Sequence, residues 1–164
     1  MNSTATPLDR AFAALSYVMP LASALAAGVY FLPFLKQVAP SIYAALYFVL
    51  FRTPLSFLIA LENSIFGIVI FFVLFLFVIR NQNISRFIRF NVLQSIVVSF
   101  VISIGTLILN LLGVVQLPVI GEALLNVFFL GGMGIVIYGV AQSVLGRYAE
   151  IPTISDAVNM NMPY

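Results

Sequence analysis

Residues 11–32, AFAALSYVMPLASALAAGVYFL, contain no charged side chain. As a helix, these 22 residues rise about 33 Å at about 1.5 Å each, enough for a hydrocarbon core roughly 30 Å thick. Pro20, near the middle, frees the carbonyl of Ser16, which a neighbouring helix or the Ser16 hydroxyl must help to satisfy. Ser16, Pro20, Ala24 and Gly28 recur every four residues, a small-residue stripe suited to close helix packing. A cleavable signal peptide competes with this reading, since Ala24-Leu25-Ala26 resembles a cleavage site. Against it, Asp9 offsets Arg10 in the lead, and the apolar run continues into aromatic residues of the interfacial type. The stretch reads as a transmembrane helix.

The rest of the chain repeats that character. It is 63% hydrophobic and only 7% charged, with mean hydropathy +1.16, whereas a soluble domain carries about 25% charged residues. The expected fold is an all-α integral membrane protein, one membrane domain over residues 1–164. Four transmembrane helices are expected at approximately 11–32, 57–79, 92–115 and 123–145, followed by a polar tail at 146–164. Residues 42–51 are apolar but too short to span, so they predict an interfacial or re-entrant helix between the first and second spans, with Ser41 after Pro40 as its cap. Thr53-Pro54 supplies an N-cap and a first helical residue for one continuous helix running to Ile79. Gly131, Gly132, Gly139, Gln142 and Ser143 share one side of the fourth span and read as a close-packing surface.

Four spans put both termini and the loop from Arg80 to Arg89 on one side of the membrane. That side holds Arg10, Arg80, Arg86, Arg89 and Arg147, against Lys36 and Arg52 opposite, so the positive-inside rule puts both termini in the cytoplasm or stroma.

Composition also narrows the chemistry. There is no cysteine and no histidine, which removes thiol nucleophiles, thiolate metal sites and the usual general base. The five carboxylates are scattered, and no pair has an acid/base spacing within one helix. No enzyme, cofactor or metal site is expected, and a net charge of +2 gives no reason to invoke nucleic acid.

The third span carries the clearest pattern. Asn91, Ser95, Ser99, Ser103, Thr106 and Asn110 project within an arc of roughly 120° at about 100° per residue. They predict either a polar stripe lining a hydrated path or peptide groove, or hydroxyl-mediated helix–helix adhesion. Arg80, Arg86 and Arg89, at the membrane edge, are candidates for lipid phosphate or a partner carboxylate. Arg89 with Asn91 and Gln94 is singled out as a linked polar contact site for a partner chain. Glu62 is a candidate intramembrane carboxylate near the far edge of the core, where interfacial water offers the plainer reading.

The run Ile79-Arg80-Asn81 through Arg86-Phe87-Ile88-Arg89-Phe90-Asn91-Val92-Leu93-Gln94 is more specific than hydropathy. With Leu15-Ser16-Tyr17-Val18-Met19-Pro20, Phe31-Leu32-Pro33 and the tail from Gly146-Arg147-Tyr148 to Ser155-Asp156-Ala157, it resembles the Tic twenty-kilodalton family. That family comprises four-helix subunits of the chloroplast inner-envelope translocon, with relatives in cyanobacteria. Ser95 departs from the pattern, where alanine is more usual. The resemblance implies a non-enzymatic channel-forming or channel-lining role in moving preproteins across a plastid inner envelope or a cyanobacterial plasma or thylakoid membrane. The implied partners are other translocon subunits or further copies of the chain, a translocating polypeptide and membrane lipids. No Ser/Arg-rich transit segment precedes the first span, which suggests a cyanobacterial or plastid-encoded member, or numbering from a mature start. In a cyanobacterium, membrane-protein handling or solute passage would replace import. A small-solute permease and a membrane scaffold are the alternatives.

Overall fold

Helix α1 (Pro7–Ser16) starts where Thr6 and Asp9 satisfy each other's backbones. Asp9 N–H donates to Thr6 Oγ1 at 3.2 Å and Thr6 N–H donates to the Asp9 carboxylate at 3.1 Å. This reciprocal cap, with Pro7 at the first helical position, starts the first span upstream of Ala11. The computed structural model describes residues 5–162; the first four and last two residues of the expected 1–164 domain lie outside that range. Every regular element among the described residues is helical.

Helix α2 (Val18–Ala27) resumes after one irregular residue, Tyr17, three positions before Pro20. The missing proline N–H loosens the helix there, and the Ser16 hydroxyl turns to the Ala13 carbonyl at 2.8 Å. Pro7–Ala27 still counts as one apolar span of 21 residues. It stops before Leu32 because the chain turns after Gly28 and re-forms as α3 (Phe31–Val38).

Helix α4 (Pro40–Phe51) has Pro40 at its start and no side-chain cap, so Ser41 lies inside the first turn rather than capping it. After Arg52 the chain bends by 74° into α5 (Leu55–Glu62). Thr53 Oγ1 accepts from Leu55 N–H at 3.3 Å, keeping a capping role at that bend.

The continuous helix expected up to Ile79 does not form. It breaks at Asn63-Ser64-Ile65 and resumes as α6 (Phe66–Val73), which runs into a π-helical segment, Leu74–Ile79. The Ser64 hydroxyl donates to the Leu61 carbonyl at 2.6 Å and accepts from Phe66 N–H at 3.2 Å, replacing helical bonds on both sides of the break. Gly67 permits the break, because a β-carbon there would overlap the Glu62 carbonyl oxygen.

Helices α7 (Arg86–Leu111) and α8 (Ile120–Val144) are unbroken. With Pro7–Ala27 they make three helices long and apolar enough to cross a bilayer, and the bent pair α4–α5 makes a fourth when taken as one span. The short helix α9 (Ile154–Asn161) closes the described chain. Val119 and Thr153 each follow a proline with φ of 67° and 69°, and the next N–H closes a tight three-residue turn onto the proline carbonyl before α8 and α9.

The first span sits between α7 and α8, with α5 against α2 and α9 against α7. Helix α8 turns Leu125, Phe129, Gly132, Val136, Gly139 and Ser143 inward, at alternating steps of four and three. A β-carbon at Gly132 would come within 2.8 Å of Ala24 Cβ, and Gly139 meets the Tyr17 ring. Gly131 faces outward with nothing near it, so only part of the expected glycine surface packs. The α6–π segment is held mainly through α5 and through the π turn against α7, which leaves clefts on both sides of it.

Candidate functional site

The polar stripe of α7 divides into two halves of different character. In the half near Arg86, Asn91 and Gln94 are wholly buried. Asn91 Oδ1 accepts from Tyr17 Oη at 3.1 Å and from Ser143 Oγ at 3.2 Å, while its Nδ2 donates to the Phe87 carbonyl at 2.9 Å. Gln94 Nε2 donates to Tyr17 Oη and to the Ala149 carbonyl, both at 3.0 Å, and its Oε1 accepts from Ser155 Oγ at 2.9 Å. Ser155 Oγ also accepts from Ile151 N–H at 2.7 Å. Asn91 and Gln94 therefore each have oxygen and nitrogen paired, as low-dielectric surroundings demand. This network ties the first span, α7, α8 and the chain after α8 into one knot. Val158 and Met162 of the same tail bury against Ile79, Phe90 and Leu93. The polar tail thus packs against one end of the bundle.

In the other half the hydroxyls face clefts. Ser99 Oγ and Ser23 Oγ are 2.7 Å apart, and Ser103 Oγ donates to Ser23 Oγ at 3.1 Å. These three side chains line a cleft of about 400 Å³ behind α6, together with Glu62, Asn63 and Ser64. Ser103, Thr106 and Asn110 line a second cleft of about 410 Å³ that shares Ser103 with the first. Between the halves, Ser95 is buried and donates to the Val92 carbonyl at 2.8 Å.

Glu62, half-buried at the end of α5, borders two openings: the serine-lined cleft and an apolar slot of about 220 Å³ between the first span and α6.

Of the arginines, Arg89 is buried, whereas Arg80 and Arg86 are exposed. Arg86 lines a polar cleft with Tyr148, Glu150 and Asp156, outside the spans. Burial pushes the Tyr148 phenol above its ordinary pKa, and the charges of Arg86 and Arg89 pull it back. Arg10 packs against Gly146, whose φ of 71° is open to glycine and strained for other residues. Arg10, Arg86, Arg89 and Tyr148 thus gather at one end of the bundle.

Sequence reading grouped Asn91 and Gln94 with Arg89. The structure joins them to Tyr17, Ser143 and Ser155, which had been read as parts of a span, a packing face and a tail. A tyrosine hydroxyl in the middle of an apolar span, with buried amides to meet, is the signal that pointed there. Ser23, Asn63 and Ser64 were missed because average hydropathy hides short polar groups.

An all-helical membrane protein with a broken second crossing, a polar stripe through its third span and a tail folded back on the bundle is the class these features define. The family model described as "Chloroplast import apparatus Tic20-like" matches residues 6–158, and the chain belongs to that family. It is 43% identical over 161 residues to a Tic20 family protein of Synechocystis sp., covering 95% of this chain and 94% of that one. It is 30% identical over 116 residues to the Tic20 family protein Ycf60 of Cyanidium caldarium, covering 68% of this chain and 57% of that protein. Against Protein TIC 20-II, chloroplastic, of Arabidopsis thaliana, identity is 33% over 99 residues, 57% of this chain and 47% of that protein. The chain thus spans about half the length of these plastid-type relatives.

Proposed function

We propose that this chain is a non-enzymatic membrane subunit of a protein-translocation complex, and that the cleft-facing half of α7 lines part of the path. The observation that supports the reading is the pair of clefts that share Ser103, each lined in part by polar side chains of one stripe, Ser99 and Ser103 in the first and Ser103, Thr106 and Asn110 in the second. In lipid, such groups and the exposed break at Asn63–Ile65 are tolerated where they border water or another chain. Ser99, Ser103, Thr106 and Asn110 would face the passing polypeptide. Asn91, Gln94 and Ser95 hold the closed end, with the buried Arg89 beside them. A bundle this small encloses little space, so further copies or other subunits must complete the path. Arg80 and Arg86 bind lipid phosphate and, with the other arginines, hold both termini in the cytoplasm or stroma. The relatives' names support a plastid inner envelope or a cyanobacterial membrane as the setting.

Photo-crosslinkers at Ser99, Ser103 and Asn110 in native membranes test the reading. Capture of a polypeptide in transit is expected; hydration of these positions without any capture would overturn it. That second outcome would favour a solute permease, a reading supported by the discontinuous second crossing beside polar groups.

A further inference from the structure

We propose that the cleft behind α6 is a binding site for an organic cation, an alkylammonium or guanidinium group, seated on the Glu62 carboxylate. The cleft offers one carboxylate and the hydroxyls of Ser23, Ser99 and Ser103, and no lysine or arginine lines it. Among the described residues the Glu62 carboxylate has no hydrogen bond and no ion pair. A carboxylate within a membrane span without a partner is costly, so the carboxylate calls for a positive guest.

The rest of the wall selects the kind of cation. Phe71 of α6 and Phe100 of α7 both line the cleft, their ring centroids 5.1 Å apart. Aromatic faces attract ammonium and guanidinium groups and accept their alkyl stems, whereas a small metal ion would need more oxygen ligands than one carboxylate brings. The break at Asn63–Ile65 opens the cleft beside Glu62, and the α6–π segment that forms its outer wall is anchored mainly at its two ends. The site rests on the cleft alone, whichever reading of the overall function holds. Its guest is either a free amine or guanidine solute, or a lysine or arginine side chain carried by a polypeptide.

The chain's lack of cysteine gives a clean test on the full-length protein in liposomes. Ser103→Cys places a thiol in an exposed position of the cleft. A cationic ethylammonium thiosulfonate reagent should modify it at least about tenfold faster than the anionic ethylsulfonate analogue, normalised to a free thiol in solution. Adding Glu62→Gln should bring the two rates to within about twofold, and Glu62→Asp should keep the preference. Equal rates, a preference that survives Glu62→Gln, or a thiol inert to both reagents would each overturn the proposal. Asn63→Cys, exposed in the same cleft, serves if the first variant misfolds. Protection of the thiol from a neutral maleimide then identifies the guest's source. Protection by arginine amide indicates a free solute, protection only by an arginine-bearing peptide and not by its glutamine analogue indicates a chain segment, and protection by neither overturns the site. The assay contains no translocating protein, so its failure is distinct from failure of the translocation reading.

Discussion

The Tyr17 ring rests on Gly139 so closely that a β-carbon at position 139 would overlap the ring edge at Cε1 and Cζ. That contact brings the phenol hydroxyl to Asn91 and Gln94, so one glycine on α8 positions the buried network. Gly139→Ala should force the ring or the helix aside at a cost of about 1–3 kcal/mol, the usual range for overpacking. Gly131→Ala, eight residues earlier and facing open space, should be neutral or stabilising by up to about 1 kcal/mol. Reversible unfolding in mixed micelles measures both; equal losses would mean that the packed face of α8 is misassigned.

The hydroxyl itself can be removed while the ring stays. Tyr17→Phe removes one of the two donors to Asn91 Oδ1 and one of the two acceptors of Gln94 Nε2, two buried hydrogen bonds whose loss should cost about 1–3 kcal/mol. Gln94→Leu goes further, because Ala149 and Ser155 lose their common partner and the tail loses its hold on α7. Trypsin cleavage at Arg147 should accelerate in Gln94→Leu and Ser155→Ala, and should not change in Thr106→Ala. Uniform cleavage across the three would show that apolar seating of Val158 holds the tail unaided.

The helical membrane class was legible in the sequence because long uncharged runs need no tertiary information. The stripe on α7 was legible too, since 3.6-residue periodicity fixes which side chains share a face. Its division was not. Whether Asn91 meets lipid, water or Tyr17 depends on helices far away in sequence, and Ser155 reaches Gln94 across 61 positions. The break in the second crossing escaped for a local reason: Ser64 and Gly67 act through one hydroxyl and one missing methyl group, which the surrounding apolar residues outweigh in any average.

That break yields a prediction of its own. Ser64→Ala removes the acceptor for Phe66 N–H and the donor to Leu61, and should cost about 0.5–2 kcal/mol, in the range of a lost helix cap. The loss should be local. Amide exchange in residues 62–67 should rise while the exchange of α7 stays unchanged. Faster exchange across both would mean that α6 is coupled to the bundle more tightly than its few contacts allow.

Orientation can be read with single cysteines in the same cysteine-free chain. Arg10 packs on Gly146, and Arg86 and Arg89 act on Tyr148, so the start of the chain, the loop before α7 and the tail meet at one end of the bundle. Asn83→Cys and Asn159→Cys are both exposed and should react with an impermeant maleimide from one side of sealed vesicles. Gln37→Cys, exposed beside Lys36 in the last turn of α3, should react from the other side. The positive-inside rule assigns the first pair to the cytoplasmic or stromal face, because the arginines concentrate there. Replacing Arg80 and Arg86 with glutamine weakens that bias without touching the buried network, so it should produce a mixed population labelled from both sides. Labelling of Gln37→Cys and Asn83→Cys from the same face would show instead that the second crossing does not traverse the membrane, and that the chain between them re-enters on the side it left.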